Sequence, residues 1–248
     1  VGGAQLMETE TQTRDVNKLT PRISETARLL YRLYIGLTAA MVTVLVVLHW
    51  VGLAPEMTLF DAVSHAFTAV STSGFSPRGA SIAAFSPAVQ WAIIPFMALG
   101  ATSFVLLYFV LQGDFSRLRE SDEFRFYVAL LAFFAATVAA VLALDGTFQT
   151  TEATVRHAVF QVVSILTTTG YASADFNLWS PAAKHVLFVS MFVGGMAGST
   201  TCSIKALRWL VVLKAFRRDL FTAAHPSVVR PVRLSGSVVD ENTIRAIY

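Results

Sequence analysis

The sequence has few charged side chains: 19 lysines and arginines and 16 aspartates and glutamates among 248 residues. A typical soluble domain is about 25% charged, whereas this chain is 14% charged and 54% apolar. No charged residue occurs from Gly79 to Gly113, and further uncharged runs cover 33–55, 126–144 and 185–204. Apolar runs of this length are typical of membrane spans. The composition therefore argues against a soluble enzyme, a nucleic-acid-binding protein and a disordered protein.

Motifs of enzymes and cofactor sites are also missing. The single cysteine, Cys202, excludes a disulfide within the chain. There is no phosphate-binding loop, no zinc-ligand spacing and no nucleophile elbow, so we expect no enzymatic activity and no resident cofactor or metal. The chain starts with Val1 and shows no signal-peptide pattern, so we expect it to be an internal piece of a longer protein.

The uncharged runs predict several membrane-embedded segments. Stretches long enough to span a membrane lie at 29–51, 87–111, 126–144 and 181–213. Pro95 predicts a kink in the second of these, and the glycine-rich residues 194–200 interrupt the last. The apolar segments 61–70 and 157–166 are too short to span, which favours re-entrant helices.

An internal repeat relates the two halves of the chain. Gly74 and Gly170 lie 96 residues apart, and each ends a Ser/Thr-rich loop that follows a short apolar segment. The similar stretches Phe85–Ala88 and Trp179–Ala182 follow the two glycines. Each half reads as span, short helix, loop and span, and membrane transporters are often built from such repeats. We therefore predict an all-α, polytopic membrane protein of two span–pore helix–span repeats with re-entrant filter loops.

The basic residues predict the orientation of these repeats. Sixteen of the 19 lysines and arginines fall before or at the start of the first span, between the repeats or at and after the last span, and only Arg78, Arg156 and Lys184 fall elsewhere. The positive-inside rule places the larger group in the cytoplasm of a cell-membrane protein. The predicted divisions are a cytoplasmic linker at 1–28, a first repeat at 29–112, a cytoplasmic loop at 113–125, a second repeat at 126–214 with a broken last helix, and a cytoplasmic linker at 215–248.

The Ser/Thr-Gly loops carry the predicted chemistry. A non-helical segment at membrane depth is tolerated only inside protein or beside a wet cavity. Its carbonyl groups can replace the water shell of a cation, and the carboxyl end of the preceding helix favours positive charge. The absence of carboxylates from the loops favours a monovalent ion. An alternative is that each loop is only a helix C-cap and turn, although two copies in matching places favour the ion site.

These residues resemble a known family. Residues 71–76 (STSGFS) and 167–171 (TTTGY) are similar to the filter loops of the Trk/Ktr/HKT superfamily of potassium transporters. Residues 192–200 (FVGGMAGST) resemble the broken helix of its third repeat. Gly2, Gly3, Gln5 and Leu6, with residues 20–27, are similar to the linker before the second repeat of the Trk type. Such proteins have four repeats in one chain, and this chain matches the second and third.

The resemblance implies a K⁺ uptake subunit without a cofactor beyond the transported K⁺. It implies a homodimer with a cytoplasmic nucleotide-binding regulatory subunit, surrounded by membrane lipid and without a nucleic-acid partner. The implied filter residues, acting mainly through backbone carbonyls, are Ser71, Thr72, Ser73, Gly74, Phe75, Thr167, Thr168, Thr169, Gly170 and Tyr171. The implied gate-loop residues are Gly194, Gly195, Gly198, Ser199, Thr200, Thr201, Cys202, Ser203 and Lys205.

The gate loop departs from the family pattern, because Thr201, Cys202 and Ser203 occupy places where the family usually has glycines. Close packing of small residues is an alternative role for the 194–198 cluster. Lys205 fits either a gate residue that repels or pairs with charge or a lysine that extends to the cytoplasmic surface. For the four membrane-region histidines we expect packing roles, and for Asp61 and Glu152 helix capping.

Three functional hypotheses follow. The first is passive or ion-coupled K⁺ transport through a pore lined by these loops. The second is the potassium-binding subunit of an ATP-driven pump, which would need a separate ATPase chain. The third is a non-transporting membrane scaffold, favoured only by the altered residues 201–203.

Overall fold

The computed structural model describes residues 23–225, 228, 231–239 and 244. Residues 1–22 of the predicted N-terminal linker, including Gly2, Gly3, Gln5, Leu6 and the motif residues 20–22, lie outside the described residues. Part of the predicted linker at 215–248 also lies outside them. The predictions for those segments are therefore compared with the structure only where it describes them.

Helices α1 to α4, which we call the first half, run from residue 23 to 111. They are α1 (Ile23–Trp50), α2 (Leu59–Val70), α3 (Pro87–Gly100) and α4 (Phe104–Leu111), with a 3₁₀ turn at Ser81–Ala84 before α3. α1 is long and apolar enough to cross a membrane. α3 and α4 satisfy the same criteria only together, and they are bent by 107° where they join.

Helices α6 to α9, which we call the second half, repeat this order. They are α6 (Asp122–Leu144), α7 (Thr151–Leu166), α8 (Pro181–Ser190) and α9 (Ala206–Ala224), with a 3₁₀ turn at Phe176–Leu178 before α8. The short helix α5 (Ser116–Glu120) joins the halves. α6 is a second helix that could cross a membrane. After α9, strands β1 (Arg233–Leu234) and β2 (Ser237–Val238) form an antiparallel hairpin.

The short helices α2 and α7 begin at defined caps. The Thr58 side chain accepts a hydrogen bond from the backbone N–H of Asp61, and the Asp61 carboxylate accepts one from the backbone N–H of Thr58. Thr150 caps α7 through the N–H of Ala153. With 12 and 16 residues, the two helices are roughly 18 and 24 Å long, and both are shorter than the ~30 Å hydrocarbon core of a membrane.

α3 continues through Pro95 as one helix and ends at Gly100, and a kink at Pro95 stays a prediction. The sharp bend of the chain lies at Ala101–Ser103, where the sequence analysis predicted none. Carbonyl groups there are used by another segment: the N–H of Met196 donates to the Ala101 carbonyl at 2.9 Å, and the N–H of Thr200 donates to the Gly100 carbonyl at 3.2 Å. Since backbone groups in a membrane must find partners within the protein, these outside donors allow the helix to stop.

The apolar core joins the two halves. Met41, Leu45 and Ile93 from the first half pack in one cluster with Phe160 and Tyr171 from the second. A second cluster lies among α6, α7 and α8. α7, the second short helix, packs on both α6 and α3 and therefore lies between the two halves. Large apolar side chains also remain exposed on the outer helices, as expected of a surface that contacts lipid; they include Val44, Val47, Phe133 and Phe188.

Candidate functional site

The loops after α2 and α7 have the same backbone conformation. The N–H of Ser73 donates to the Thr68 carbonyl, and the N–H of Thr169 donates to the Ser164 carbonyl, each at 2.9 Å. One residue earlier, the N–H groups of Thr72 and Thr168 bond to carbonyls three residues back. This is the Schellman pattern of a helix C-cap. The cap that the alternative interpretation expects is therefore present, and it occurs at positions 96 residues apart.

Threonine occupies the left-handed position of each cap, where glycine is usual. The φ angles are 52° at Thr72 and 56° at Thr168, and they are 68° at Gly74 and 84° at Gly170. A β-branched residue in this region is a rare, strained exception, with a cost of about 1–3 kcal/mol. The sequence reasoning expected only the glycines to need this freedom. Both loops are therefore strained at the same position, and in each the strained residue carries a hydroxyl group.

The caps use backbone N–H groups and leave a set of carbonyl groups free. Thr68 and Ser164, one turn back in each short helix, donate through their hydroxyls to the carbonyls of Phe75 (2.8 Å) and Tyr171 (2.7 Å). Between these anchored ends, no hydrogen-bond donor among the described residues reaches the carbonyl oxygens of Thr72, Ser73, Gly74, Thr168, Thr169 and Gly170. Such oxygens are available to a cation.

The two loops meet directly at Gly74. A Cβ atom added to Gly74 would lie 1.7 Å from the carbonyl oxygen of Thr169, whereas one added to Gly170 would meet nothing within 4 Å. Tyr171 also crosses between the halves, because its hydroxyl donates to the His65 carbonyl at 3.2 Å and its side chain is fully buried. Phe75, the matching aromatic residue of the first loop, is 75% exposed.

A non-helical segment at 191–205, which we call the break, lies against the base of both loops. The Thr200 hydroxyl donates to the Val70 carbonyl at 3.1 Å and lies 3.2 Å from the hydroxyl of Thr72. The N–H of Cys202 donates to the Thr168 hydroxyl at 3.0 Å. The two strained threonines are thus the residues through which the loops contact the break.

The break also pairs with the bend between α3 and α4. Besides the Met196 and Thr200 bonds described above, the N–H of Phe104 donates to the Gly198 carbonyl at 3.1 Å. A Cβ atom at Gly195 would lie 2.6 Å from the Ala101 carbonyl oxygen, so this contact requires glycine. This close approach joins two non-helical segments, so it differs from the close packing of helices that was the alternative role for residues 194–198.

A family model for TrkH, described as a cation transport protein, matches residues 1–248. The chain belongs to the TrkH family. It is 37% identical to the Trk system potassium uptake protein TrkH of Halomonas elongata and 32% identical to that of Escherichia coli K12, and each alignment covers the whole chain and 50% of the relative. The crystal structure of the potassium transporter TrkH from Vibrio parahaemolyticus matches with a TM-score of 0.86 and 29% identity, over 98% of this chain and 51% of that one.

The family match confirms the predicted superfamily, the all-α fold and the membrane location. The chain spans about half the length of the TrkH-family relatives it matches. This agrees with the expectation of a piece of a longer protein that contains more than the two repeats found here.

The residues that depart from the family pattern adopt compensating contacts. Ser203 has a φ of 70°, a conformation that glycine would adopt freely, and its hydroxyl donates to the Met191 carbonyl at 3.0 Å. Cys202 is exposed. The half-buried Lys205 donates through Nζ to the carbonyl and the hydroxyl of Thr201. The side chain of Lys205 is therefore bonded to another residue of the break, Thr201.

Ionisable groups at the starts of α2 and α7 form ion pairs. Arg78 binds both oxygens of Asp61, at 2.9 and 2.6 Å, and Arg156 binds Glu152 at 2.8 Å. The guanidinium of Arg78 holds the pKa of the Asp61 carboxyl well below its ordinary value. Among the described residues no three His, Cys, Asp or Glu side chains form a metal-binding group. Capping by Asp61 is confirmed, and its arginine partner was not predicted.

Sequence reasoning missed two parts of this site. One is the bend at Ala101–Ser103, although Gly100 lies 94 residues before Gly194, the same spacing that separates Pro87 from Pro181. Aligning the repeats on these prolines would have found it. The other is Glu123, a buried carboxylate that contacts the break. Its neighbours in the sequence are charged loop residues, and no spacing there indicates burial.

Proposed function

We propose that this chain supplies two pore-lining units of a membrane protein that takes up K⁺, with units at 29–112 and 126–214 joined by the loop 113–125. The observation that carries the proposal is the set of free carbonyls on two facing loops at the carboxyl ends of short helices. The loops 71–75 and 167–171 are the filter segments. Phe75 and Tyr171 act as their anchored ends, because hydroxyl groups already hold the two carbonyls.

The chemistry of the loops supports K⁺ as the transported ion. Carbonyl oxygens can replace the hydration shell of K⁺, and neither loop contains a carboxylate that would favour a divalent ion. The carboxyl ends of α2 and α7 add partial negative charge at the same place. The relatives are named potassium uptake proteins, which supports the same ion here.

Two loops do not surround an ion. The relatives are about twice as long as this chain, and we propose that further units of a longer protein complete the ring. The exposed ring of Phe75 supports a neighbour on the side of the first loop, because the corresponding Tyr171 packs against the short helix of the other half.

The break is the proposed gate. It lies at the base of both loops through Thr200 and Cys202, where an ion leaving the filter would pass. It is not part of a helix, so a few backbone rotations can move it. The proposed gate residues are those from Gly194 to Ser203 together with Lys205.

The proposed orientation places the ends of the chain and the loop 113–125 in the cytoplasm, because 16 of the 19 basic residues lie in these segments or at the ends of the spans that adjoin them. The loops then open toward the outer face. A homodimer and a cytoplasmic nucleotide-binding subunit are further proposals that rest on resemblance to the Trk type. The basic cytoplasmic surface supports contact with an acidic partner or with anionic lipid.

The test is Rb⁺ and Na⁺ uptake by the full-length protein carrying Gly170→Ser. The substitution places a side chain in open space, so the fold should persist while the backbone of the filter changes. We expect the Rb⁺/Na⁺ preference to fall about tenfold, equivalent to about 1.4 kcal/mol of discrimination.

Gly146→Ser is the matched control. Gly146 also has a positive φ, and a Cβ atom added to it would meet nothing within 4 Å, but it lies in the outer loop after α6. An unchanged preference in Gly170→Ser, or an equal change in Gly146→Ser, contradicts the filter assignment. Uptake that stops without ATP and a co-purifying ATPase would favour the pump subunit. Wild-type protein that inserts in the membrane but does not transport Rb⁺ would favour the scaffold.

A further inference from the structure

Glu123 is a buried carboxylate next to the break. It is the second residue of α6, its exposed fraction is 9%, and its Oε1 accepts a hydrogen bond from the backbone N–H of Ala197 at 2.6 Å. A buried charge is unfavourable unless donors or opposite charges surround it. The charge of the buried Glu123 carboxylate therefore depends on the polar groups that surround it.

Those groups come from the middle of the break and from the start of the helix that follows it. Ala197, inside the break, donates the hydrogen bond to the carboxylate, and the ammonium of Lys205, the residue before α9, and the backbone N–H of Leu207 also favour its charge. Leu207 belongs to the first turn of α9, where free N–H groups favour an anion. A single side chain of α6 thus holds the break to the helix that follows it.

The neighbouring carboxylate, Asp122, has a different set of partners. Lys214 donates to Asp122 at 2.6 Å, and the N–H of Ser235 in the β1–β2 hairpin donates to it at 3.0 Å. Asp122 therefore binds the cytoplasmic hairpin and α9 but not the break. Two adjacent acidic residues of one helix turn serve two separate contacts, which makes Asp122 a matched control for Glu123.

We propose that Glu123 is a positioning residue that holds the break against the two filter loops. By fixing Ala197 relative to the start of α9, it keeps Thr200 and Cys202 within hydrogen-bonding distance of the filter loops. The proposal rests on the proposed function of the break as a gate. It adds a residue of α6, outside both the loops and the break, on which the position of the gate depends.

The experiment uses the full-length protein in which any cysteine outside this chain has been replaced, so that Cys202 is the reporter. Glu123→Ala removes the acceptor for Ala197 and should release the break. We expect the rate at which 2-(trimethylammonium)ethyl methanethiosulfonate modifies Cys202 to rise at least threefold. We also expect the maximal rate of Rb⁺ uptake to rise, with the Rb⁺/Na⁺ preference unchanged because the filter backbone is intact.

Glu123→Gln keeps an oxygen acceptor and should return the Cys202 rate to within twofold of wild type, whereas a general loss of stability would not be rescued in this way. Asp122→Asn should leave both rates unchanged.

If Glu123→Ala does not reach the membrane, Glu123→Asp, which withdraws the carboxylate from Ala197, gives the same test. An unchanged Cys202 rate, or an equal rise in Asp122→Asn, overturns the proposal. Absence of Rb⁺ uptake in wild type contradicts the proposed function instead, and the Cys202 rates remain a separate test of positioning.

Discussion

The two halves build the same loop in opposite surroundings. Both loops end a short helix with a threonine at positive φ followed by a glycine at positive φ. The second loop is enclosed, because Tyr171 is fully buried against the first half, whereas Phe75 of the first loop is mostly exposed. The short helix and its cap therefore determine the backbone of a loop, while the neighbouring half determines how tightly the loop is held.

The ion pairs at the starts of the two short helices also differ in their surroundings. In the first half the carboxylate is buried and its arginine reaches water, with exposed side-chain fractions of 2% for Asp61 and 44% for Arg78. In the second half the arginine is buried and the carboxylate is exposed, with 8% for Arg156 and 54% for Glu152. The two short helices thus each have an ion pair near their start, formed by residues that do not correspond in the repeat, and the two pairs differ in which partner is buried.

The comparison between the loops is most sharply tested at their glycines. Gly74→Ala places a Cβ atom 1.7 Å from the Thr169 carbonyl oxygen, so backbone must move, whereas Gly170→Ala meets nothing within 4 Å. We expect Gly74→Ala to lower the free energy of unfolding by more than about 3 kcal/mol and Gly170→Ala by about 1–2 kcal/mol from the left-handed backbone alone. Thermal unfolding of the purified full-length protein in detergent measures both, and equal losses would show that the loops do not meet at Gly74.

Substitutions in the two ion pairs should change the free energy of unfolding by less than Gly74→Ala does. Asp61→Asn removes a buried carboxylate that binds Arg78 and caps α2, so we expect a loss of about 2 kcal/mol in the free energy of unfolding. Glu152→Gln alters an exposed carboxylate, and we expect less than about 1 kcal/mol. Equal losses from the two variants would contradict the difference in burial.

The pH dependence of unfolding tests the same pair. Because Arg78 holds the pKa of Asp61 below its ordinary value, the Asp61 contribution is complete at neutral pH. It is lost in acid, as pH falls below the unfolded value of about 3.9 toward the folded value. The acid part of the stability profile should therefore be shallower in Asp61→Asn than in wild type, and identical acid profiles would show that the pair contributes nothing.

Much of this arrangement could be predicted from sequence, because it depends on local patterns. Apolar length separates α1 and α6 from the shorter α2 and α7, and Ser/Thr residues before a glycine indicate where those short helices end. The position of a bend inside an apolar run is different. Pro95 is tolerated within α3, while the helix stops at Gly100 because donors from Met196 and Thr200 replace its own.

The candidate site was predictable in its residues and not in its contacts. The repeat of Gly74 at Gly170 indicated both loops, but the strained positions are Thr72 and Thr168, and the sequence does not show their contacts with Thr200 and Cys202. Glu123 had no sequence signal, because its burial results from the path of a segment more than 70 residues away.

The smallest expected effect is a difference between Thr168 and Thr72 variants in the rate of Cys202 modification. Thr168 is the acceptor for the N–H of Cys202, whereas Thr72 contacts Thr200, which keeps the carbonyls of Val70 and Gly100 as partners. Thr168→Val should therefore free Cys202 and raise its rate of modification by about fivefold, equivalent to about 1 kcal/mol for one hydrogen bond. Thr72→Val should leave that rate unchanged, and Thr168→Ser should restore it. An equal rise in the two valine variants would show that the break responds to the packing of either loop and not to the Thr168 hydrogen bond.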